Sequence, residues 1–184
     1  MSDQEDIEGI EALRRFLLAR GLEAETVMPR ADSRRRLLAA ATNEGRFERF
    51  VGTVANMADV SDEQARLWLD GVWGNLPNWE MASRHARAWW VEGGPRSQNA
   101  IRGFVHLGAG KEFPHHKHLG NEHVLILQGG ARLSTGERLR AGDAVVAQPG
   151  VEHSFVAVPG GPDLLLFTVV FEGLDFGRVV TRPR

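Results

Sequence analysis

The chain has 184 residues, of which 42% are hydrophobic and 25% are charged, so it can bury a core and is not wholly disordered. Its 22 basic and 24 acidic residues nearly cancel, which excludes nucleic-acid binding through bulk positive charge. It contains no cysteine, so disulfides, thiolate metal ligands and cysteine nucleophiles are excluded. Any metal or catalytic site must therefore use histidine, carboxylate, hydroxyl or lysine side chains.

Residues 1–80 are predicted to be a helical segment. Apolar side chains recur at helical spacing over residues 7–18, 33–42 and 46–58. Ser61 and Gln64 have the spacing of a capping box, which predicts the start of a fourth helix. This segment holds 15 of the 24 acidic residues but 10 of the 22 basic ones, so its net charge is negative.

The five tryptophans all lie between Trp68 and Trp90, where the helical pattern gives way to a β-rich one. Tryptophan contributes a large apolar surface and usually finds a partner for its N–H when buried. We therefore expect several of these side chains to be buried between the helices and the first strand, or at a dimer interface.

Residues 81–184 are predicted to be an all-β domain. Strand-like runs occur at residues 85–91, 101–107, 123–127, 131–133, 143–148, 155–158 and 164–171. Gly-Gly, Pro-Gly and Ser-Thr-Gly-Glu segments between the runs are typical of turns. Several short strands at close spacing indicate a sandwich or a barrel. The fold class is therefore α+β, with helices first and strands second.

A cluster of metal-ligating side chains is predicted near the middle of this β domain. His116 and His118 occupy alternate positions of an extended segment, so their side chains point the same way. Glu122 follows after a short connection in which Gly120 lets the chain turn, so its carboxylate can approach the two imidazoles. The turn at Pro149-Gly150 can return His153 to the same place.

Three neutral imidazoles and one carboxylate suit a single divalent transition metal and leave coordination positions open for a ligand. Zn, Fe, Mn, Ni and Cu are all compatible with this donor set. His115 and His123 each adjoin a candidate ligand in the sequence, so we expect both to face away from the site.

The segment from Gly110 to Gly129 resembles the first motif of the cupin family. Five residues separate the first glycine from His116, one separates His116 from His118, three separate His118 from Glu122, and six precede the last glycine. The resemblance implies a jelly-roll barrel, also called a double-stranded β-helix, over about residues 85–175. It also implies that these residues bind the metal.

The segment from Gly142 to Ala157 resembles the second cupin motif. It departs from that motif at two positions, because Gln148 replaces a proline and Ala157 replaces an asparagine. Neither departure removes a ligand, so His153 is retained as the fourth.

The cupin segment is further similar to the cupin domain of ChrR-type anti-sigma factors, through Pro114, Gly120 and the strand at residues 124–127. Those proteins join a helical N-terminal domain, which sequesters an extracytoplasmic-function sigma factor, to a metal-binding cupin. Their N-terminal zinc site needs a histidine followed by two cysteines, and residues 1–80 contain neither. The resemblance therefore implies a regulator that lacks this zinc site.

Two functions follow from these patterns. The first is a regulator or sensor of a small molecule or of oxidative stress, in which the acidic residues 1–80 bind a protein partner such as a sigma factor. The alternative is a metal-dependent, dioxygenase-like enzyme. No general base beyond the ligands is evident, and the nearby candidates are Glu112, His106 and Gln148.

Under either function, the bound ligand is expected to be small and mostly apolar or aromatic. Inward-facing side chains predict an apolar cavity, and the expected lining is Phe104, Val124, Ile126, Phe155 and Phe167. Such a lining favours a molecule that reaches the metal through one polar group, and it disfavours a sugar phosphate.

The remaining expectations concern location and assembly. An acidic start and the lack of an apolar run of about 20 residues predict a cytoplasmic protein without a membrane span. Residues 54–69 scan like a helix-turn-helix, but Asp62-Glu63 at the start of its second helix would repel phosphate, so nucleic acid is not an expected partner. The cupin resemblance implies a homodimer.

Overall fold

The computed structural model describes residues 45–74 and 77–183. The helices predicted at residues 7–18 and 33–42 lie outside these ranges. The third predicted helix is present in shorter form, as a 3₁₀ turn at Glu48–Phe50 followed by α1 (Val51–Ala58). None of the described helices is long and apolar enough to cross a membrane.

The fourth predicted helix is present as α2 (Asp62–Gly71). The hydroxyl of Ser61 accepts a hydrogen bond from the backbone N–H of Gln64 over 3.2 Å, which satisfies one of the free donors of the first turn. The helix start predicted from Ser61 and Gln64 is confirmed.

Residues 77–183 contain twelve strands. They are β1 (Glu80–Met81), β2 (Ala86–Trp90), β3 (Ala100–Leu107), β4 (Glu112–His118), β5 (Glu122–Gln128), β6 (Gly130–Leu133), β7 (Arg138–Arg140), β8 (Ala144–Ala147), β9 (Glu152–Ala157), β10 (Leu164–Phe171), β11 (Leu174–Asp175) and β12 (Val180–Thr181). All seven predicted strand runs correspond to one of these strands.

The strands form two six-stranded antiparallel sheets. Sheet A has the order β1-β2-β3-β10-β5-β8, and sheet B has the order β12-β11-β4-β9-β6-β7. The two sheets pack face to face as a jelly-roll sandwich, and in the described residues they remain separate hydrogen-bonded ladders rather than one closed barrel. The predicted order of a helical region followed by a jelly roll is confirmed.

The central strands of sheet A are buried on both faces. Its inner face packs against sheet B through side chains such as Val105, Ile126 and Leu166. Its outer face packs against α1 and α2 through Phe104 and Phe167. Consecutive side chains of a strand alternate between the two faces, so the three central strands β3, β10 and β5 contribute to two separate apolar cores.

The tryptophans mostly belong to the outer core, between the helices and sheet A. Trp68 is buried within it, and Trp73, Trp79 and Trp89 pack against it while partly exposed. Trp90 remains 40% exposed. The expected burial of several tryptophans between helices and strands is therefore observed in part, since only Trp68 is fully buried there.

Candidate metal centre

The four candidate ligands come from both sheets. His116 and His118 lie on β4, and His153 lies on the neighbouring strand β9, directly opposite His116. Glu122 is the first residue of β5 in sheet A. One potential ligand atom from each of the four residues lies within 4.8 Å of the others, so the cluster joins the two sheets at one end of the sandwich.

The connection between β4 and β5 requires glycine at position 120, for a reason that differs from the one predicted. Gly120 does not have a positive φ, so no left-handed turn demands it. A Cβ atom there would instead lie 2.5 Å from the carbonyl oxygen of Phe171. Glycine thus allows the chain that carries Glu122 to pass close to the backbone at the end of β10.

The backbone fixes the tautomer of His116. Its Nδ1 lies 2.9 Å from the carbonyl oxygen of Pro114, and because a carbonyl can only accept, Nδ1 must carry the proton. Nε2 is then left with a free lone pair. This second hydrogen bond is a usual feature of histidines that bind metals.

The spacing of the imidazoles fits a metal ion. The Nε2 atoms of His118 and His153 lie 3.3 Å apart, and two nitrogens held at about 2.1 Å from one ion are roughly 3.0–3.4 Å apart. Nδ1 of His118 is buried without a hydrogen bond, although Oε2 of Glu122 is 3.2 Å away. Buried polar atoms are rarely left unpaired, so the donor set is one that could hold a cation.

Burial sets the protonation of the cluster. It lowers the pKa of His116 to about 4 and, together with the nearby His116, the pKa of His118 to about 4. Burial also lowers the pKa of His153 and raises that of Glu122 to about 7, against a hydrogen bond from Thr168 that lowers it. The three imidazoles are therefore neutral at pH 7, which is the state that binds metals.

The other histidines lie outside the cluster. His115 is 64% exposed and lies 4.0 Å from the carboxylate of Glu152, and the ring of His123 lies against Phe171. Both face away from the site, as predicted. His106 lies on the outer side of sheet A, where its Nε2 is 3.1 Å from a carboxylate oxygen of Asp163, so it does not enter the cavity.

A cavity of about 450 Å³ opens beside the cluster, and His116, Glu122 and His153 form part of its wall. Most of its other lining side chains are apolar. They include Val105, Phe113, Val124, Ile126, Leu133, Val145, Phe155, Leu166, Val170 and Phe176. No lysine or arginine occurs among the described residues that line it, and Gln148 and Glu137 are among the few polar ones.

The predicted lining is correct for Val124, Ile126 and Phe155 and wrong for Phe104 and Phe167. The two phenylalanines are opposite each other in the β3–β10 ladder and both point outward, under the helices. The prediction failed because apolar residues fill both faces of these strands, so the sequence pattern does not identify the inner face.

The sequence pattern also missed three side chains that touch the candidate ligands. Phe113 and Phe176 lie against His116, with ring centroids 5.4 Å and 5.6 Å from it. The hydroxyl of Thr168 donates a hydrogen bond to Glu122 over 2.6 Å. The available signal for Thr168 is that it is the one polar residue in the apolar strand Leu164–Phe171.

The family model described as ChrR Cupin-like domain matches residues 97–169, a range that includes all four candidate ligands. This part of the chain is similar to the ChrR cupin-like domain. The match covers less than half of the chain, and the described helices α1 and α2 precede the cupin segment. Comparison with curated proteins gives no match.

Solved structures similar to this chain include other cupins. An RmlC-like cupin protein from Ralstonia eutropha JMP134 is 23% identical, with a TM-score of 0.51 over 59% of this chain and 76% of that one. The structure of Rhodobacter sphaeroides SigE in complex with the anti-sigma ChrR is 21% identical, with a TM-score of 0.48 over 91% of this chain and 81% of that one. An acetylacetone dioxygenase from Acinetobacter johnsonii is 12% identical, with a TM-score of 0.49 over 58% of this chain and 80% of that one. The first likeness shows the fold, and none assigns an activity to this chain.

Proposed function

We propose that the cupin domain binds one divalent transition metal through His116, His118, Glu122 and His153, and that it holds a small, mostly apolar molecule in the adjoining cavity. The observation that carries this proposal is the position of the cluster, which forms the polar end of an otherwise apolar cavity. A buried group of three imidazoles and a carboxylate without a cation is costly.

The residues of this site have three different roles. The neutral histidines and the carboxylate hold the ion, which as a Lewis acid would polarise an oxygen of the bound molecule. Phe113 and Phe176 cover His116 and keep water from its ring. Apolar side chains such as Ile126 and Leu166 surround the rest of the ligand and orient it by shape.

The metal content of the purified protein tests the site. We expect about one equivalent of a divalent transition metal in the wild-type protein and little in His116→Ala or His153→Ala. His115→Ala is the matched control, because His115 is an exposed histidine next to a ligand and should leave the metal content unchanged. Equal metal in all four proteins would reject the site.

We further propose a regulatory role in the cytoplasm, with a sigma factor as the partner of residues 1–80. The match to the ChrR-like family model supports it. A specific contact supports it as well, because α1 and α2 pack on the outer face of the strands whose inner face lines the cavity. A molecule in the cavity and the helices therefore touch the same strands. Ligand binding in the cavity can thus be coupled through these strands to the binding of a protein partner.

Two outcomes separate the regulator from the alternative, a dioxygenase-like enzyme. For a regulator, we expect the full chain to co-purify with a sigma factor from native lysate and to release it when the cavity ligand is added. Turnover of a small oxygenated compound by metal-loaded protein, with no such partner, would favour the enzyme. Light scattering of the same preparation tests the proposed homodimer.

A further inference from the structure

We propose that Thr168 is a positioning residue that holds the Glu122 carboxylate in the orientation required at the metal centre. This proposal rests on the proposed metal binding. Thr168 lies in sheet A, outside the sequence spacing that links the histidines and Glu122, and its hydroxyl donates a hydrogen bond to the Glu122 carboxylate.

The two oxygens of the Glu122 carboxylate have different partners. Oε1 of Glu122 accepts a bond of 2.6 Å from the hydroxyl of Thr168, a length typical of strong bonds to charged oxygen. Oε2 points to the imidazoles and lies 3.2 Å from Nδ1 of His118. One oxygen is thus tethered to sheet A, and the other is directed at the histidines of sheet B.

The register of β5 and β10 produces this contact. Glu122 is opposite Val170, and Thr168 is opposite Val124. Thr168 is therefore the diagonal neighbour of Glu122 on the same face of the sheet, a distance that a glutamate side chain can span. A one-residue shift of β10 would point the hydroxyl to the helices instead.

The hydroxyl has few competing partners at this position. Thr168 is 4% exposed, so water does not reach it freely, and its other close acceptor is the carbonyl oxygen of His123 at 3.2 Å. A hydroxyl has a single proton to donate, and the shorter bond goes to the carboxylate. Valine has nearly the same shape and would suit a buried strand, so packing alone does not account for a threonine here.

Fixing one carboxylate oxygen reduces the number of side-chain orientations that Glu122 can adopt before a metal arrives. Less conformational freedom is then lost on binding. Partners that orient metal ligands in this way typically change metal affinity by about 10–100-fold when they are removed. Thr168 therefore acts on the metal through Glu122, and its effect should disappear when Glu122 is absent.

The test is a titration of the metal-free full chain with Co²⁺, whose visible absorption reports both affinity and coordination geometry. We expect Thr168→Val to weaken Co²⁺ binding about 10-fold and to change the absorption spectrum. Thr168→Ser keeps the hydroxyl and should restore both properties. Thr53→Val makes the same chemical change on α1, at an exposed position, and should have no effect.

A double-mutant cycle with Glu122→Ala separates positioning from a general structural effect. In the Glu122→Ala background, we expect Thr168→Val to cause no further loss of affinity. Circular dichroism checks that each variant is folded, and Thr168→Ala replaces the valine variant if that one does not fold. Equal Co²⁺ affinity in wild type and Thr168→Val, or an equal loss in both backgrounds, overturns the role of Thr168. A wild type that binds no Co²⁺ overturns the metal site itself.

Discussion

At the scale of single residues, the candidate ligands make the stability of the metal-free protein depend on pH. The pKa of His116 and of His118 is about 4 in the folded protein, against an ordinary value of 6.5. The unfolded chain therefore takes up protons first as the pH falls. Between about pH 6.5 and pH 4, each histidine lowers the free energy of unfolding by about 1.4 kcal/mol per pH unit.

Glu122 has the opposite effect, because its pKa is raised to about 7 from 4.5 and its contribution to stability is lost as the pH rises through this range. Several histidines outweigh one carboxylate, so we expect metal-free protein to be less stable at pH 5 than at pH 7. Urea denaturation in the presence of a chelator measures this difference. His116→Gln removes one titrating group and should flatten the dependence, whereas an unchanged dependence would contradict the assigned cause.

Gly120 provides a second prediction at this scale. A Cβ atom at this position meets the Phe171 carbonyl oxygen at 2.5 Å, so Gly120→Ala must displace the chain that carries Glu122. We expect a loss of about 1–3 kcal/mol in stability together with weaker Co²⁺ binding. Gly161→Ala is the matched control, because a Cβ there meets nothing within 4 Å. Equal behaviour of the two variants would disprove the close-contact explanation.

The residues of the site differ in how far the sequence could reveal them. The spacing of His116, His118 and Glu122 identifies a cluster because these side chains are close in the chain and alternate on a strand. The partner of Glu122 could not be identified in this way, since Thr168 is 46 positions away and meets it only through the register of two strands. Spacing reports local geometry, whereas sheet register is a property of the whole fold.

At the scale of elements, substitutions on the two faces of β10 should have different effects on ligand binding. Phe167 is fully buried under the helices and Leu166 faces the cavity. We expect Phe167→Ala to cost about 3–5 kcal/mol and Leu166→Ala about 2–5 kcal/mol of stability. Only Leu166→Ala enlarges the cavity, so only that variant should change the binding of a small apolar ligand. Thermal denaturation and ligand titration of both proteins test this division, which fails if Phe167→Ala alters ligand binding as strongly.

The elements themselves were largely predictable, but their orientation was not. Turn residues and β-branched runs located seven of the twelve strands but not β4, and the capping residue Ser61 located α2. The faces of β3 and β10 could not be assigned, because the alternation of apolar and polar residues disappears when both faces of a sheet are buried. The two-residue strands such as β11 and β12 are too short to produce a recognisable pattern.

At the scale of the whole molecule, the charge of the cavity predicts which ligands are excluded. Its described lining has no lysine or arginine, and Glu137 adds a carboxylate near the histidines. Apart from the proposed metal ion, a phosphate group that loses its hydration there would meet no cationic side chain in the described lining. In thermal-shift measurements on metal-loaded protein, we expect phenol to raise the melting temperature and glucose 6-phosphate to leave it unchanged. A sugar phosphate that stabilises wild type but not His116→Ala would contradict this polarity.

The order of helices before a sandwich or barrel followed from composition and turn spacing, whereas the jelly roll was implied by the resemblance to the cupin motifs. The position of α1 and α2 on sheet A was indicated only by the band of tryptophans, since large apolar side chains need a surface to cover. Nothing in the local pattern indicates which sheet receives the helices. That choice depends on Phe104 and Phe167 lying side by side in the ladder, a contact between residues far apart in the chain.

The burial of β10 on both faces also bears on how the chain avoids aggregation while it folds. Leu164–Phe171 has no charge and no proline, the composition of segments that self-associate when exposed. Asp163 and Glu172 flank it and act as charged gatekeepers. Both of its partner strands, β3 and β5, precede it in the chain. The two strand edges with which β10 pairs can therefore be in place before β10 is synthesised. Refolding the complete chain from denaturant loses this order of synthesis, and its yield should fall steeply as the protein concentration rises.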